Sequence, residues 1–165
     1  MLRKLAIPLL LALLLAGLGY TLTRTKPAPD VEFSTITGQS MQLKALRGKM
    51  VLVNFWATTC PGCIAEMPRL IDAYRRHRPQ GFELIAVAMP YDPAEQVGAY
   101  AKKHALPFPV VLDLQGTLTK DFGDIRLTPT AILIDKQGNI VRTIVGEVDF
   151  AALDRQLEQA LGRAG

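Results

Sequence analysis

The stretch MVLVNFWATTCPGCIAEMP spans residues 50–68 of the 165-residue chain. Its first seven residues are nearly all apolar, which is typical of a strand buried on both faces. From about residue 61 to residue 78 apolar side chains recur at spacings of three and four, which predicts an amphipathic helix. Cys60 and Cys63, the only two cysteines of the chain, lie where the strand gives way to the helix. Both the fold of the protein and the chemistry of its cysteines can be predicted by starting from this junction.

The spacing of the two cysteines favours reaction over structural bracing. A disulfide between residues three apart closes a very small ring, which hardly restricts the unfolded chain. A cysteine at the start of a helix lies near unpaired backbone N–H groups and the positive end of the helix dipole. Both features favour the thiolate, which is the nucleophile. We predict that Cys60 attacks a disulfide and that Cys63, one turn further in, resolves the mixed disulfide.

Other uses of a cysteine pair fit the sequence less well. A structural zinc site needs four ligands, and His77 and His104 are the only histidines. Covalent haem attachment requires a histidine directly after the second cysteine, where Ile64 stands. A peroxide-reducing cysteine requires proline and threonine at the positions of Val53 and Ala57. An inert buried pair and a Cu(I) carrier stay open as alternatives.

The rest of the chain alternates between short strands and helices. The patterns predict a hairpin over residues 31–41, strands over 82–89 and 109–112, helices over 94–104 and 116–122, a hairpin over 131–145 and a closing helix over 150–161. Asp92 is expected to cap the helix over 94–104, with Pro93 in its first turn, and His77 is expected to lie at a solvated helix end. The fold class is therefore α/β, a mixed central sheet flanked by helices on both faces, with an N-terminal β-hairpin extension.

The N-terminal segment differs in composition from the rest. Leu5 to Leu22 form an uncharged run of eighteen residues after Arg3-Lys4, close to the roughly 20 that cross a bilayer as a helix. We predict a signal-anchor helix in residues 1–22, with a cleaved signal peptide as the alternative. A short stiff tether follows over residues 23–30, and after it a folded domain over residues 31–162. The basic pair before the run favours export of the domain.

The positive charge of the chain belongs to this N-terminal segment. Residues 1–29 hold four of the 19 basic residues and none of the 15 acidic ones, so residues 30–165 are formally neutral. A neutral body offers no broad positive field to a phosphate backbone. Nucleic acid is therefore not expected as a partner.

Val51 to Pro68 resemble the active-site segment of the thioredoxin superfamily, and more narrowly of its membrane-anchored TlpA/ResA-like branch. The resemblance covers about residues 31–162 and includes the hairpin, the anchor and the downstream Thr128-Pro129. It implies a thioredoxin-like fold and a thiol–disulfide oxidoreductase that acts on protein thiols and disulfides, with no cofactor and no metal. A membrane thiol carrier would supply electrons, at a bacterial inner membrane with the catalytic domain facing the periplasm or the cell exterior.

The resemblance also implies roles for individual residues. Pro129, after Thr128, would be a cis-proline facing the cysteines, and an ordinary trans proline is the alternative. Glu66 resembles a glutamate that this branch places near its cysteines, where it would relay a proton or contact a partner; a solvated helix residue is the alternative. Trp56 is expected to pack beside the site, or simply in the core.

Three departures from the superfamily matter. Asn54 stands where typical thioredoxins bury an acid, so a proton relay would have to use Glu66 or water. Thr59 stands where a tryptophan is usual, and Pro61-Gly62 reverses the usual Gly-Pro between the cysteines, a dipeptide that helps set whether such a site reduces or oxidises. The resemblance implies a reductase of exported proteins, of the kind used in cytochrome c maturation. A disulfide-donating oxidase and a Cu(I)-binding chaperone remain alternatives.

Overall fold

The computed structural model describes residues 26–162. The predicted anchor over residues 1–22 lies outside this range. Between residues 26 and 162 there is no helix long and apolar enough to cross a membrane.

The described chain alternates between strands and helices, close to the predicted boundaries. The strands are β1 (Lys26–Pro27), β2 (Glu32–Ser34), β3 (Ser40–Gln42), β4 (Met50–Trp56), β5 (Phe82–Ala88), β6 (Val110–Leu112), β7 (Thr130–Ile134) and β8 (Asn139–Val145). The helices are α1 (Pro61–His77), α2 (Ala94–Lys103), α3 (Thr117–Asp121) and α4 (Phe150–Leu161). Short 3₁₀ turns lie at Leu43–Leu46 and Arg78–Gln80.

Six of the strands form one mixed sheet in the order β1-β8-β7-β4-β5-β6. Strand β4 runs parallel to β5 and antiparallel to β7, and β5 runs parallel to β6. Strands β2 and β3 form the predicted N-terminal hairpin as a separate two-stranded sheet. This is a thioredoxin-like α/β architecture, as predicted.

Strand β4 is the centre of the core because all seven of its residues are buried. Alternate side chains of a strand point to opposite faces of the sheet. On one face Leu52 and Trp56 pack in a cluster with apolar residues of α1, α2 and α4. On the other face Val53 and Phe55 pack against the hairpin, the first 3₁₀ turn and α3. The sheet is therefore covered on both sides, and the ends of β4 are held rigidly.

Part of the predicted tether belongs to the sheet. Lys26–Pro27 pair antiparallel with Asn139–Ile140, and the Ala28 N–H donates to the Gly138 carbonyl over 2.9 Å. The chain that enters the domain is therefore fastened along the outer side of β8. A two-residue strand that includes a proline shows too little periodicity to be predicted from the sequence.

The prediction of a solvated His77 is wrong. Its side chain is only 4% exposed, and Nε2 lies 3.0 Å from Asp154 Oδ1 of α4. The imidazole also meets the edge of Phe82. Because α4 lies 77 residues further along the chain, this helix contact could not be anticipated from the local pattern around His77.

Candidate active site

The two cysteines sit at the N-terminus of α1 and are joined by a disulfide. Strand β4 ends at Trp56, and a turn brings the Cys60 N–H to the Ala57 carbonyl at 3.2 Å. Cys60 has extended backbone angles and occupies the capping position, while Pro61 takes the first helical position, where a missing N–H costs no hydrogen bond. The Cα atoms of Cys60 and Cys63 are 5.3 Å apart.

The two sulfurs have different surroundings. Cys63 is fully buried, whereas Cys60 is half-buried at the surface. Cys60 Sγ accepts a hydrogen bond from the Cys63 N–H at 3.2 Å. This bond and the helix dipole stabilise negative charge on Cys60 in the reduced protein. The geometry therefore suits Cys60 for attack and Cys63 for resolution.

A buried aspartate holds the turn that leads into Cys60. Asp92 is 3% exposed, and its carboxylate accepts the Thr58 N–H at 2.6 Å and the Thr58 hydroxyl at 2.5 Å. The prediction that Asp92 caps α2 is wrong, because Pro93 occupies that position and no side chain caps the helix. Since β4 and β5 are parallel neighbours, the loops that follow them meet at one edge of the sheet. Asp92 lies under the active-site turn because these two strands are neighbours in the sheet, and the strand order could not be predicted from the sequence around Asp92.

The Thr128–Pro129 peptide bond is cis, as predicted, and its loop faces the cysteines. A Cβ atom at Gly62 would lie 3.6 Å from Pro129 Cδ and 3.6 Å from Glu147 Oε1. The Pro129 carbonyl accepts the Gly146 N–H at 2.8 Å. Strand β7 runs antiparallel to β4, so the start of β7 meets the end of β4 beside the disulfide.

Glu66 is buried, which excludes the solvated alternative. It is 3% exposed, one helical turn beyond Cys63, and its Oε2 accepts the Val148 N–H at 3.2 Å. Its Oε1 has no hydrogen-bond partner among the described residues. Burial raises the pKa of this carboxyl and the negative charge of Glu147 adds to the rise, while the Val148 hydrogen bond and Arg69 oppose it. A carboxyl in this setting exchanges protons more readily near neutral pH than an exposed glutamate does.

Trp56 and Asn54 lie on β4, on the face of the sheet that α1 covers. Both are fully buried, and the Trp56 ring packs against Tyr100 with centroids 5.2 Å apart. Trp56 and Cys63 belong to the same apolar cluster, and Cys60 packs against it. Trp56 therefore lies both in the core and beside the site. Neither amide atom of Asn54 has a protein partner in the described chain.

Residues that the sequence did not single out complete the surroundings. Leu127, directly before Thr128-Pro129, is 65% exposed, and Val145, the register partner of Thr130, is 62% exposed. Tyr91 is 59% exposed and its hydroxyl lies 3.5 Å from Thr128 Oγ1. Leu127 could have been found from the sequence, because it directly precedes Thr128-Pro129. Tyr91, Val145 and Glu147 could not, because only the strand order brings them to the site.

Metal ligands do not gather around the cysteines. Across residues 26–162 no group of three or more histidine, cysteine, aspartate or glutamate side chains is arranged to hold a metal ion. A Cu(I) ion at this place would rest on the two cysteine sulfurs.

Comparison with known proteins gives consistent matches over nearly the whole chain. The profile of the Redoxin family matches residues 23–160. The thiol–disulfide oxidoreductase ResA of Geobacillus thermodenitrificans is 34% identical over 160 residues, which cover 90% of this chain and 91% of that protein.

Solved structures agree. The thiol:disulfide interchange protein of the thioredoxin family from Chlorobium tepidum superposes with a TM-score of 0.77 at 32% identity, covering 85% of this chain and 99% of that one. StoA from Bacillus subtilis superposes with a TM-score of 0.67 at 28% identity, covering 80% and 98%.

Proposed function

Because the chain belongs to the Redoxin family and is a ResA-like thiol–disulfide oxidoreductase, we propose that its role is to reduce disulfides in exported proteins. The observation that carries the proposal is the pairing of a half-buried Cys60 with a fully buried Cys63 at a helix N-terminus facing a cis-proline loop. Only the Cys60 sulfur is accessible to a large substrate, and the Cys63 sulfur lies buried beneath it.

The exchange proceeds in two displacements. The Cys60 thiolate of the reduced protein attacks a substrate disulfide, forming a mixed disulfide and releasing the first substrate thiolate. Cys63 then loses its proton, attacks Cys60 Sγ and releases the second substrate thiolate. Glu66 is the group placed to take the Cys63 proton, because it lies one turn away on the same helix and is equally buried. The product is the Cys60–Cys63 disulfide.

The charges at the site favour reduction over oxidation. A strong disulfide donor such as DsbA owes its oxidising power to a stabilised reduced form, which contains the thiolate. Here two carboxylates, Glu66 and Glu147, lie beside the active-site turn. Negative charge nearby disfavours a thiolate, so it destabilises the reduced form relative to the neutral disulfide. The Cys63 N–H and the helix dipole act on Cys60 in the opposite direction, and the two carboxylates offset part of that effect, which supports a reducing role.

The N-terminal segment supports a proposal about the cellular setting. Residues 1–22 carry the basic pair and the uncharged run of an anchor. We infer a single-pass protein of the bacterial inner membrane whose catalytic domain faces the periplasm or the cell exterior. A membrane thiol carrier would return the disulfide to the reduced state, and substrates would include exported proteins such as those of cytochrome c maturation.

The reduction potential of the Cys60–Cys63 disulfide tests the direction. Equilibration in dithiothreitol or glutathione buffers should give a value near that of thioredoxin, about −270 mV. A value closer to that of DsbA, about −120 mV, would make the protein a disulfide donor and overturn the proposal. Glu147→Gln should shift the potential upward, whereas Glu158→Gln, an exposed carboxylate on α4, should not.

Trapping of substrates tests exchange itself. A Cys63→Ser variant should accumulate mixed disulfides through Cys60, because the resolving sulfur is gone. A chaperone for Cu(I) would instead bind about one ion and lose it when either cysteine is replaced.

A further inference from the structure

Most of the unpaired buried polar atoms that the structure describes belong to residues of β4 and α1 near the active-site cysteines. Within residues 26–162, five buried side-chain nitrogen or oxygen atoms lack a hydrogen-bond partner. Four of them belong to Asn54, Trp56 and Glu66: both amide atoms, the indole Nε1 and the carboxylate Oε1. The fifth, on His77, lies at the other end of α1. A buried donor or acceptor left unpaired is destabilising, so four of them near one active site call for a common explanation.

The strand geometry brings these atoms to one face of the sheet. Asn54 and Trp56 are two residues apart on β4 and therefore point the same way. That face is the one covered by α1, since Trp56 packs in one cluster with Cys63. Glu66 is buried one turn beyond Cys63 on the same helix.

The residues beside Asn54 are small. Its register partners are Ala86 on β5 and Ala131 on β7, and both are fully buried. Paired residues of adjacent strands share a face, so the amide is flanked by two methyl groups instead of large side chains. A water molecule needs such room and two to four polar partners. Donors on Asn54 and Trp56 and acceptors on Asn54 and Glu66 provide them.

We propose that Asn54 is a positioning residue: together with Trp56 it holds an internal water molecule that connects the Cys63 sulfur to Glu66 Oε1. This inference rests on the proposed exchange cycle and names its proton path. In the resolving step the Cys63 S–H bond breaks and its proton passes through the water to Glu66. The Cys63 thiolate forms the bond to Cys60 Sγ, the Cys60–substrate S–S bond breaks, and the electron pair leaves on the substrate thiolate.

An amide suits this position better than a carboxylate. Glu66 faces one further negative charge, Glu147 from the segment before α4, and one positive charge, Arg69 from its own helix. Asn54 adds hydrogen bonds without adding a third charge. An aspartate there would compete for the transferred proton and, being a like charge, would raise the pKa of Glu66 further.

The two displacements can be timed separately in the full-length reduced protein. An aromatic disulfide whose thiolate product is coloured releases one thiolate when Cys60 attacks and a second when Cys63 resolves. Asn54→Leu keeps a similar volume but cannot hold the water. It should slow the second phase about tenfold, below the usual range of roughly 10²–10⁴ for general acid–base catalysis, and leave the first unchanged. Asn54→Asp should keep the second phase but move its pH midpoint upward.

Val53→Ala is the matched control, because it alters the neighbouring residue on the opposite face of β4 and lowers stability without touching the polar group. It should leave both phases unchanged. An unaltered second phase in Asn54→Leu, an equal slowing of both phases, or an unmoved midpoint in Asn54→Asp would overturn the role of Asn54. Absence of the first phase in the unmodified protein would instead overturn the exchange function itself.

Discussion

Replacing Glu66 by glutamine should stabilise the protein at neutral pH while weakening its chemistry. Glu66 is 3% exposed and receives one hydrogen bond, from the Val148 N–H. An amide can keep that bond through its own oxygen, yet it carries no charge. The substitution therefore removes the cost of ionising a buried carboxyl and changes little else.

The pH dependence has a definite sign. Burial raises the pKa of Glu66 in the folded protein above its unfolded value of about 4.3. The folded state then binds more protons than the unfolded state as pH rises above about 4.3, so the free energy of unfolding falls over that range. The contribution of Glu66 is fully present below about pH 4.3 and is lost as pH passes through the raised, folded-state pKa. Glutamine has no such dependence.

The size of the effect follows from the carboxylate surroundings. One oxygen is bonded to Val148 and the other has no protein partner. An unpaired buried group costs about 1–3 kcal/mol, and more when it is charged. The glutamine Nε2 that replaces Oε1 is unpaired as well but neutral, so the substitution removes only the added cost of the charge. We therefore expect Glu66→Gln to be more stable than the unmodified protein by about 1 kcal/mol at about pH 8. Near pH 4 the difference should vanish.

Urea denaturation of the two oxidised proteins measures this difference. Trp56 is the only tryptophan and is fully buried, so its fluorescence reports unfolding. Glu158→Gln serves as the control, because an exposed carboxylate should change stability by less than about 0.5 kcal/mol at any pH. A Glu66→Gln advantage that is the same at both pH values, or that grows as pH falls, would refute the reasoning.

Three other substitutions test the supports of the site. Asp92→Ala leaves the Thr58 N–H unpaired and should lower the free energy of unfolding in urea by about 1–3 kcal/mol and slow exchange. Asp154→Ala removes the partner of buried His77; it should cost a similar amount and leave the reduction potential unchanged, as redox titration would show. Gly62→Ala meets only ordinary contacts of 3.6 Å, so it should raise stability by about 0.4–1 kcal/mol in the same urea assay with exchange retained.

Local sequence patterns were enough to predict most elements of secondary structure. Strand β4 and helices α1 and α4 begin and end within one residue of the predicted bounds, because each is long enough to show an apolar period. The cis bond before Pro129 was expected from the family resemblance and is present. The short β1 was not predicted, because two residues show no period.

The sequence patterns gave wrong predictions for polar residues whose hydrogen-bond partners lie far away in the sequence. His77 and Asp92 were both interpreted from their own helix ends, one as solvated and the other as a cap. In the structure each is buried against a residue far away in sequence, Asp154 and Thr58 respectively. Burial of a polar side chain is decided by what packs over it, and that depends on which elements become neighbours.

The sequence by itself determined the α/β class and the strand–cysteine–helix junction, and it predicted that Cys60 attacks and Cys63 resolves. These follow from periodicity and from the chemistry of a thiol at a helix start, both of which are local. Only the tertiary structure decided that Glu66 is buried, that Glu147 reaches Gly62 and that Asn54 lies between two alanines. Each of those facts depends on the pairing of β4 with β5 and β7 or on the path of the chain before α4. Contacts between residues distant in sequence set the electrostatics around the cysteines, because charges from separate elements are brought together only when the chain folds.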